Sequence, residues 1–208
     1  KNQIKSGKLV EKGFSAKVAQ SIMEGLVEIG GRTGRNMLPY AFAQAEKVIN
    51  YLKKSPDVID AHPLGSLRRM VATVGDLDFS VSSKQSQRVI EYFCKMPGIS
   101  RVLDKGPSKT TIVLQSGLQL DLLVGQPKSY GALLQHFTGS KSHNIKLRTR
   151  AQEKGLSLSE YGVSRVKGKG GKLIETKTEE EFYKLLGMEV PPPELREDIG
   201  EIEAALNH

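Results

Sequence analysis

The sequence predicts an α+β fold: a small sheet set between helical, strongly basic segments. Three observations carry that reading. The hydrophobic period is helical near the N-terminus, switches to strict alternation over 74–82 and 110–124, and returns to helical after Pro127. The charge is segregated: residues 1–54 hold 10 basic and 4 acidic side chains, residues 141–174 hold 9 and 2, and residues 175–208 hold 3 and 10. Residues 55–140, with 9 and 7, are nearly neutral. A chain of 208 residues, 38% hydrophobic and 26% charged, buries a real core.

The elements follow in order. Residues 9–29 read as a short helix, a turn at Gly13 and a second helix carrying Val18, Ile22, Leu26 and Ile29 at helical spacing. Gly30-Gly31 and Gly34 break the pattern. Residues 39–53 form an amphipathic helix with Pro39 in its first turn, and Ser55-Pro56 ends it. Residues 74–82 alternate, with Leu77, Phe79 and Val81 on one face and Asp76 and Asp78 on the other. A helix spans 83–96. Residues 110–124 give two strands joined at Ser116-Gly117, with Leu118, Leu120, Leu122 and Val124 opposite Asp121. Helices are expected on one face of this sheet. Helices at 128–137 and 141–154 come next, then a strand at 157–166 and a basic turn at 167–172. The last helix, 178–187, has Thr178 as N-cap and Glu181 at the capping-box position, and Pro191-Pro192-Pro193 stops regular structure.

Composition excludes several classes. No run of 18 apolar residues exists, and the N-terminus lacks a signal-peptide core. One cysteine, Cys94, rules out an internal disulfide and a cysteine-based zinc site, and suits a reducing, cytoplasmic setting. A net charge of +8 fits a polyanionic partner: nucleic acid, anionic lipid or an acidic protein. With no Trp and 6% aromatics, the chain lacks the rings for a single-strand stacking platform.

The centre holds the chemistry. Asp76 and Asp78, two apart on one strand, are expected to project from the same face, which is costly without a cation between them. Asp121 can add a third carboxylate from a neighbouring strand. Oxygen donors without a His or Cys cluster suit Mg²⁺ or Mn²⁺ rather than Zn²⁺. Two such ions would clamp the attacking and leaving oxygens of phosphoryl transfer. Upstream, residues 65–69 read GSLRR. Gly65 allows close backbone approach to a phosphate, the Ser66 hydroxyl can donate to it, and Arg68 or Arg69 can fork onto it. No GxxxxGK[ST] loop is present.

The block GSLRRMVATVGDLDFSV resembles the signature of the family X DNA polymerases, bacterial type and polymerase-beta-like, within the nucleotidyltransferase superfamily. The likeness continues through LQLDLLV, HFTGSKSHNIKLRTRAQEKG and PPPELRED. It implies a fingers-palm-thumb polymerase core. Residues 1–35 would be a fingers part with a degenerate helix-hairpin-helix, and 36–127 a nucleotidyltransferase palm of mixed sheet and helices. Residues 128–208 would be a small α/β thumb with an acidic tail. Asp76, Asp78 and Asp121 would hold two Mg²⁺ ions, with Mn²⁺ as an alternative, and Asp121 would help activate the primer 3′-hydroxyl. Gly65, Ser66, Arg69 and Gly75 would hold the triphosphate. His136, Phe137, Thr138 and Gly139 would contact its sugar, with Lys141 and Asn144 beside the base. Gly13, Ser15, Lys17 and Arg148 would touch DNA. Ser15 stands where the hairpin usually has a second glycine, His136 where the polymerase-beta type has Tyr, and Gln119 where a basic residue is frequent. The lyase lobe and the phosphoesterase domain of relatives have no counterpart in these 208 residues.

The function these readings imply is template-directed DNA synthesis, filling short gaps in DNA repair, including base excision repair. Its partners would be gapped or primer-template DNA and a deoxynucleoside triphosphate, with no membrane. The chain would act as a cytoplasmic, nucleoid-associated monomer. Template-independent terminal transfer and a non-catalytic DNA-binding module are the rival readings.

Overall fold

Alternation from Leu77 to Ser82 produces the strand on which the body is laid down, with Leu77, Phe79 and Val81 fully buried on one side. The computed structural model describes Ser15, Val18, residues 35–166 and residues 173–206. Apart from Ser15 and Val18, the helices expected within 9–29, with Gly13 and Lys17, lie outside the described residues, as does the basic turn 167–172. The chain divides between Arg35 and Asn36, and the elements below belong to the second unit.

The order is β1 (Asn36–Met37), α1 (Leu38–Leu52), β2 (Asp60–Pro63), α2 (Gly65–Arg68), β3 (Thr73–Val74), β4 (Leu77–Ser82), α3 (Ser86–Phe93), β5 (Ile99–Lys105), β6 (Lys109–Leu114) and β7 (Gln119–Gly125). Then come α4 (Tyr130–Thr138), α5 (Lys141–Glu153), β8 (Leu156–Ser159), β9 (Gly162–Arg165), β10 (Leu173–Ile174), α6 (Glu179–Leu185) and α7 (Glu201–Ala204). Short 3₁₀ turns cover Pro127–Ser129 and Pro193–Leu195. Among the described residues no helix is long and apolar enough to cross a membrane.

The main sheet has five strands in the order β2-β4-β7-β6-β5. Only β4 and β7 run parallel; the crossover between them passes through α3, β5 and β6. Leu77, Phe79 and Val81 of β4 and Leu120, Leu122 and Val124 of β7 form one core with Ala41, Ala45, Val48 and Leu52 of α1 and Val89, Ile90 and Phe93 of α3. Each buried Val, Leu, Ile or Phe among them contributes about 1.5–3 kcal/mol, so this face holds the sheet rigid. The opposite face carries Asp78, Ser80 and Asp121 and is not bare. Tyr130 of α4 shares a hydrogen bond with Ser80 at 2.9 Å and packs with Leu64, Leu133 and Leu134. Helices therefore cover both faces, where the sequence suggested one.

Other boundaries also differ from expectation. The alternating stretch 74–82 is broken at Gly75-Asp76, which form a bend between β3 and β4. Asp76 therefore does not share a strand with Asp78. The helix expected at 83–96 is limited to Ser86–Phe93. The strand expected at 157–166 is a hairpin, because Glu160 and Tyr161 turn the chain between β8 and β9. Thr178 does cap α6, accepting from the Glu181 N–H at 3.3 Å; the Glu181 carboxylate accepts from the Lys177 N–H, one residue before the cap.

The C-terminal elements have their own core: Ala132, Leu147, Ala151, Leu156, Val163, Phe182, Tyr183, Leu186 and Ile202. Helix α5 buries only His143, Leu147 and Ala151, a narrow stripe every four residues. Helix α4 lies against the strand-like run before α6, where the Gly131 N–H donates to the Thr176 carbonyl at 2.8 Å. A Cβ on Gly131 would stand 2.0 Å from the Thr178 carbonyl oxygen. Gly131→Ala is expected to destabilise the protein by about 3 kcal/mol through overpacking against backbone, read as a lower urea midpoint.

Candidate active site

Asp78 and Asp121 are direct partners across the parallel β4–β7 pair, so their carboxylates stand side by side. Asp121 is buried, and both its oxygens are bonded. Thr111, opposite it on β6, donates to Oδ1 at 2.5 Å; Gln119, two residues earlier on the same face, donates to Oδ2 at 2.9 Å. Lys109 Nζ stands 3.8 Å from Oδ1. Burial, then the Asp121 and Asp76 charges, push the Asp78 carboxyl up to about 6, with Lys109 opposing them. Asp76 adds charge but is exposed on its bend. Among the described residues no three His, Cys, Asp or Glu side chains are gathered to hold a metal. The pair is thus in place, and the third carboxylate is near without converging.

The GSLRR block comes beside this pair through strand pairing. Asp78 O accepts from the Leu64 N–H at 2.8 Å, which brings Gly65 against the site. Gly65 has φ +55°, and a Cβ there would lie 3.0 Å from Asp78 Oδ2. Only glycine fits both the left-handed backbone and the close approach. Ser66 is half-buried in the first turn of α2. Gly75 faces open space, and its carbonyl accepts from Asn36 Nδ2 at 3.3 Å.

The two arginines of the block divide their roles. Arg68 donates to Thr138 Oγ1 and to Glu179 Oε2, each at 2.5 Å. Glu179 Oε1 accepts from Arg196 at 2.6 Å. The Arg196 side chain is 0% exposed; its guanidinium also donates to the Pro191 carbonyl and lies 5.2 Å from the centre of the Tyr183 ring. Burial raises the Glu179 pKa, but hydrogen bonds and charge from both arginines hold it below the usual range. Arg69 instead donates Nε to Glu197 at 2.7 Å and one Nη to the Thr138 carbonyl at 2.6 Å. Thr138 is fully buried and gives both oxygens to these arginines. Gly139 follows with φ +72°, and a Cβ there would stand 3.2 Å from Nη1 of the same Arg69. Glu179 has no signal in a linear motif, and the PPPELRED block that holds Arg196 and Glu197 does not show what they meet; their roles arise from long-range pairing.

His136 and Phe137 sit edge to face, ring centres 4.9 Å apart. Burial, with the Arg148 charge beside it, lowers the His136 pKa against the opposing charge of Glu160. Asn144 is engaged at both ends: Oδ1 accepts from Gln135 at 2.6 Å, and Nδ2 donates to the His136 carbonyl at 2.7 Å. Lys141 and Arg148 are exposed on α5. Arg148 lines a cavity of about 650 Å³ with Gln152, Leu156 and Leu158. Ser15 Oγ accepts from the Val18 N–H at 3.3 Å, the geometry of a helix cap.

His143 is structural, as a lone histidine generally is. Its Nδ1 lies 2.7 Å from Glu201 Oε1, and its Nε2 lies 2.9 Å from the Tyr183 hydroxyl. Burial lowers the His143 pKa. Burial pushes Glu201 upward, yet hydrogen bonds from His143 and backbone N–H groups hold it low. Both depressed values act in one direction. The His143 contribution is full above about 6.5 and is lost as pH falls through its folded pKa. The Glu201 contribution is lost further down. The urea midpoint is expected to fall from pH 7.5 to pH 5, and less steeply in His143→Asn.

Comparison with known proteins agrees with the family resemblance. Residues 133–197 match the family described as DNA polymerase beta thumb. The chain is 34% identical over 193 residues to the DNA polymerase/3′-5′ exonuclease PolX of Bacillus subtilis (strain 168), covering 92% of this chain and 34% of that protein. It is 29% identical over 161 residues to DNA polymerase lambda of Rattus norvegicus, covering 68% of this chain and 26% of that protein. Repair DNA polymerase X of African swine fever virus is 26% identical over 175 residues, 74% of this chain and 97% of the viral protein. The chain thus spans about a third and a quarter of the lengths of the first two. With the thumb match at one end and the alignments running through the carboxylate strands, the chain belongs to the family X DNA polymerases.

Proposed function

We propose that this chain is the polymerising core of a template-directed DNA polymerase that fills short gaps during DNA repair. The observation that carries the reading is the Asp78–Asp121 register pair with Gly65 pressed against it. Residues 1–35 serve as fingers, 36–127 as palm and 128–208 as thumb. The donor set fits a hard divalent cation: carboxylates crowd one edge of the sheet, and burial, followed by the Asp121 and Asp76 charges, raises Asp78 against the opposing charge of Lys109. Asp78 and Asp121 would hold it, joined by Asp76 once that exposed side chain turns inward. When bound, Mg²⁺ or Mn²⁺ polarises phosphoryl oxygens and eases loss of the primer hydroxyl proton.

The chain's own residues arrange the reactants. Thr111 and Gln119 orient Asp121 towards the primer 3′-hydroxyl. Gly65, Ser66, Arg69 and Gly75 bind the triphosphate, and Arg69 faces it as a charge-assisted donor. His136, Phe137 and Gly139 shape the sugar site; Lys141 and Asn144 lie beside the base. Gly13, Ser15, Lys17 and Arg148 meet DNA phosphates and the template strand, so binding weakens with salt. The 3′-oxygen attacks the α-phosphorus in line, and pyrophosphate leaves.

The test is extension of a labelled primer on one-nucleotide-gapped DNA with Mg²⁺ and each deoxynucleoside triphosphate. Insertion of the complementary nucleotide, dependent on template, is expected. Equal extension of a single strand without template would establish terminal transfer instead. No product and no Mg²⁺-dependent nucleotide binding would leave a DNA-binding module.

A further inference from the structure

The Arg69–Glu197 contact places a carboxylate on the guanidinium assigned to the nucleotide. We propose that Glu197 is an internal competitor for the triphosphate: its carboxylate occupies Arg69 in the empty protein, and the nucleotide must displace it. The inference rests on the polymerase reading above.

Four observations support it. The contact is 2.7 Å, an ordinary charge-assisted bond, and it uses Nε alone. The Glu197 side chain is 40% exposed, whereas the Arg69 side chain is 15% exposed, so the acid is the partner free to leave. Arg69 does not depend on it for position, because the Thr138 carbonyl holds one Nη at 2.6 Å. The backbone around Glu197 is anchored. Ser140 N–H donates to the Arg196 carbonyl at 3.0 Å, the Arg196 side chain is buried on Glu179, and Lys146 Nζ lies 2.9 Å from Asp198. Only the Glu197 side chain needs to swing. Neighbouring acids are accounted for: Asp198 and Glu203 pair with Lys146, and Glu179 with Arg68 and Arg196.

The consequence is a threshold on phosphate charge. A single carboxylate is a weak rival to a triphosphate but a comparable rival to a monophosphate. Exchange at Arg69 therefore disfavours ligands with short phosphate tails and weakens all of them moderately. A partly exposed ion pair of this kind is weak, so its loss is expected to tighten triphosphate binding by up to about fivefold.

The experiment is equilibrium titration of a deoxynucleoside α,β-imidotriphosphate into the 208-residue chain with gapped DNA and Mg²⁺. The parent, Glu197→Gln, Arg69→Ala and the double variant are compared. Tighter binding in Glu197→Gln is expected, and no gain from the same change in the Arg69→Ala background. Weaker or unchanged binding in Glu197→Gln, with normal binding by the parent, would overturn the competitor role and leave the nucleotide site standing. A gain that persists without Arg69 would also overturn it. A parent that binds no nucleotide would sink the polymerase reading and this inference with it. Circular dichroism and the urea midpoint of each variant confirm that the differences are not loss of fold.

Discussion

Asp121→Ala is expected to lower primer extension by about a thousandfold, while the urea midpoint stays level or rises. The rate follows from what the carboxylate would do. Charge stabilisation at a bound cation is worth several kcal/mol, and each 1.4 kcal/mol is about tenfold in rate. The stability follows from what Asp121 costs. It stands beside Asp78 in the sheet and helps push that carboxyl up to about 6. Removing it relieves repulsion, although Thr111 and Gln119 each lose an acceptor. A merely structural carboxylate would give the opposite pattern, with stability lost and activity reduced only in proportion. Extension by Asp121→Ala at the parent's rate would refute the catalytic assignment.

Glu179→Ala is expected to be the most destabilising single change, costing about 3–5 kcal/mol and roughly 10 °C in Tm. Among the described residues Glu179 is the one anion bonded to both Arg68 and Arg196, and the Arg196 side chain has no exposure to water. Loss of the carboxylate leaves a buried guanidinium with only the Pro191 carbonyl and the face of Tyr183. Arg68, 16% exposed, can turn towards solvent; Arg196 cannot. Adding Arg196→Met to Glu179→Ala is expected to recover much of the loss, because removing both partners costs less than stranding one. Thermal unfolding of the three variants measures this. If the single variant shifts Tm by only a degree or two, water reaches Arg196 and the network is not closed.

The helix–strand alternation of the body was legible because one-sided burial leaves a clear period. Leu77, Phe79 and Val81, and Leu120, Leu122 and Val124, bury on one face and mark their strands without any partner being known. The edge strands left little trace. Strand β5 is mostly exposed and carries two register shifts, and β2 ends in Pro63, so neither alternates visibly. The bend at Gly75-Asp76 was also hidden, because alternation continues through it in sequence although the backbone does not.

The candidate site divides along the same line. By itself the sequence determined which groups are available: carboxylates at Asp76, Asp78 and Asp121, a glycine and paired arginines upstream, and basic segments on either side of the neutral centre. Local spacing is enough for that, since residue type and period are properties of a short stretch. Tertiary structure alone decided what those groups meet. Parallel pairing of β4 with β7 aligned Asp78 with Asp121, Gly65 came to lie against Asp78, and Glu179 and Glu197 sorted Arg68 from Arg69. Those contacts join residues far apart in the chain. Their strength comes from desolvation and exact pairing in the folded interior, and no local pattern carries either.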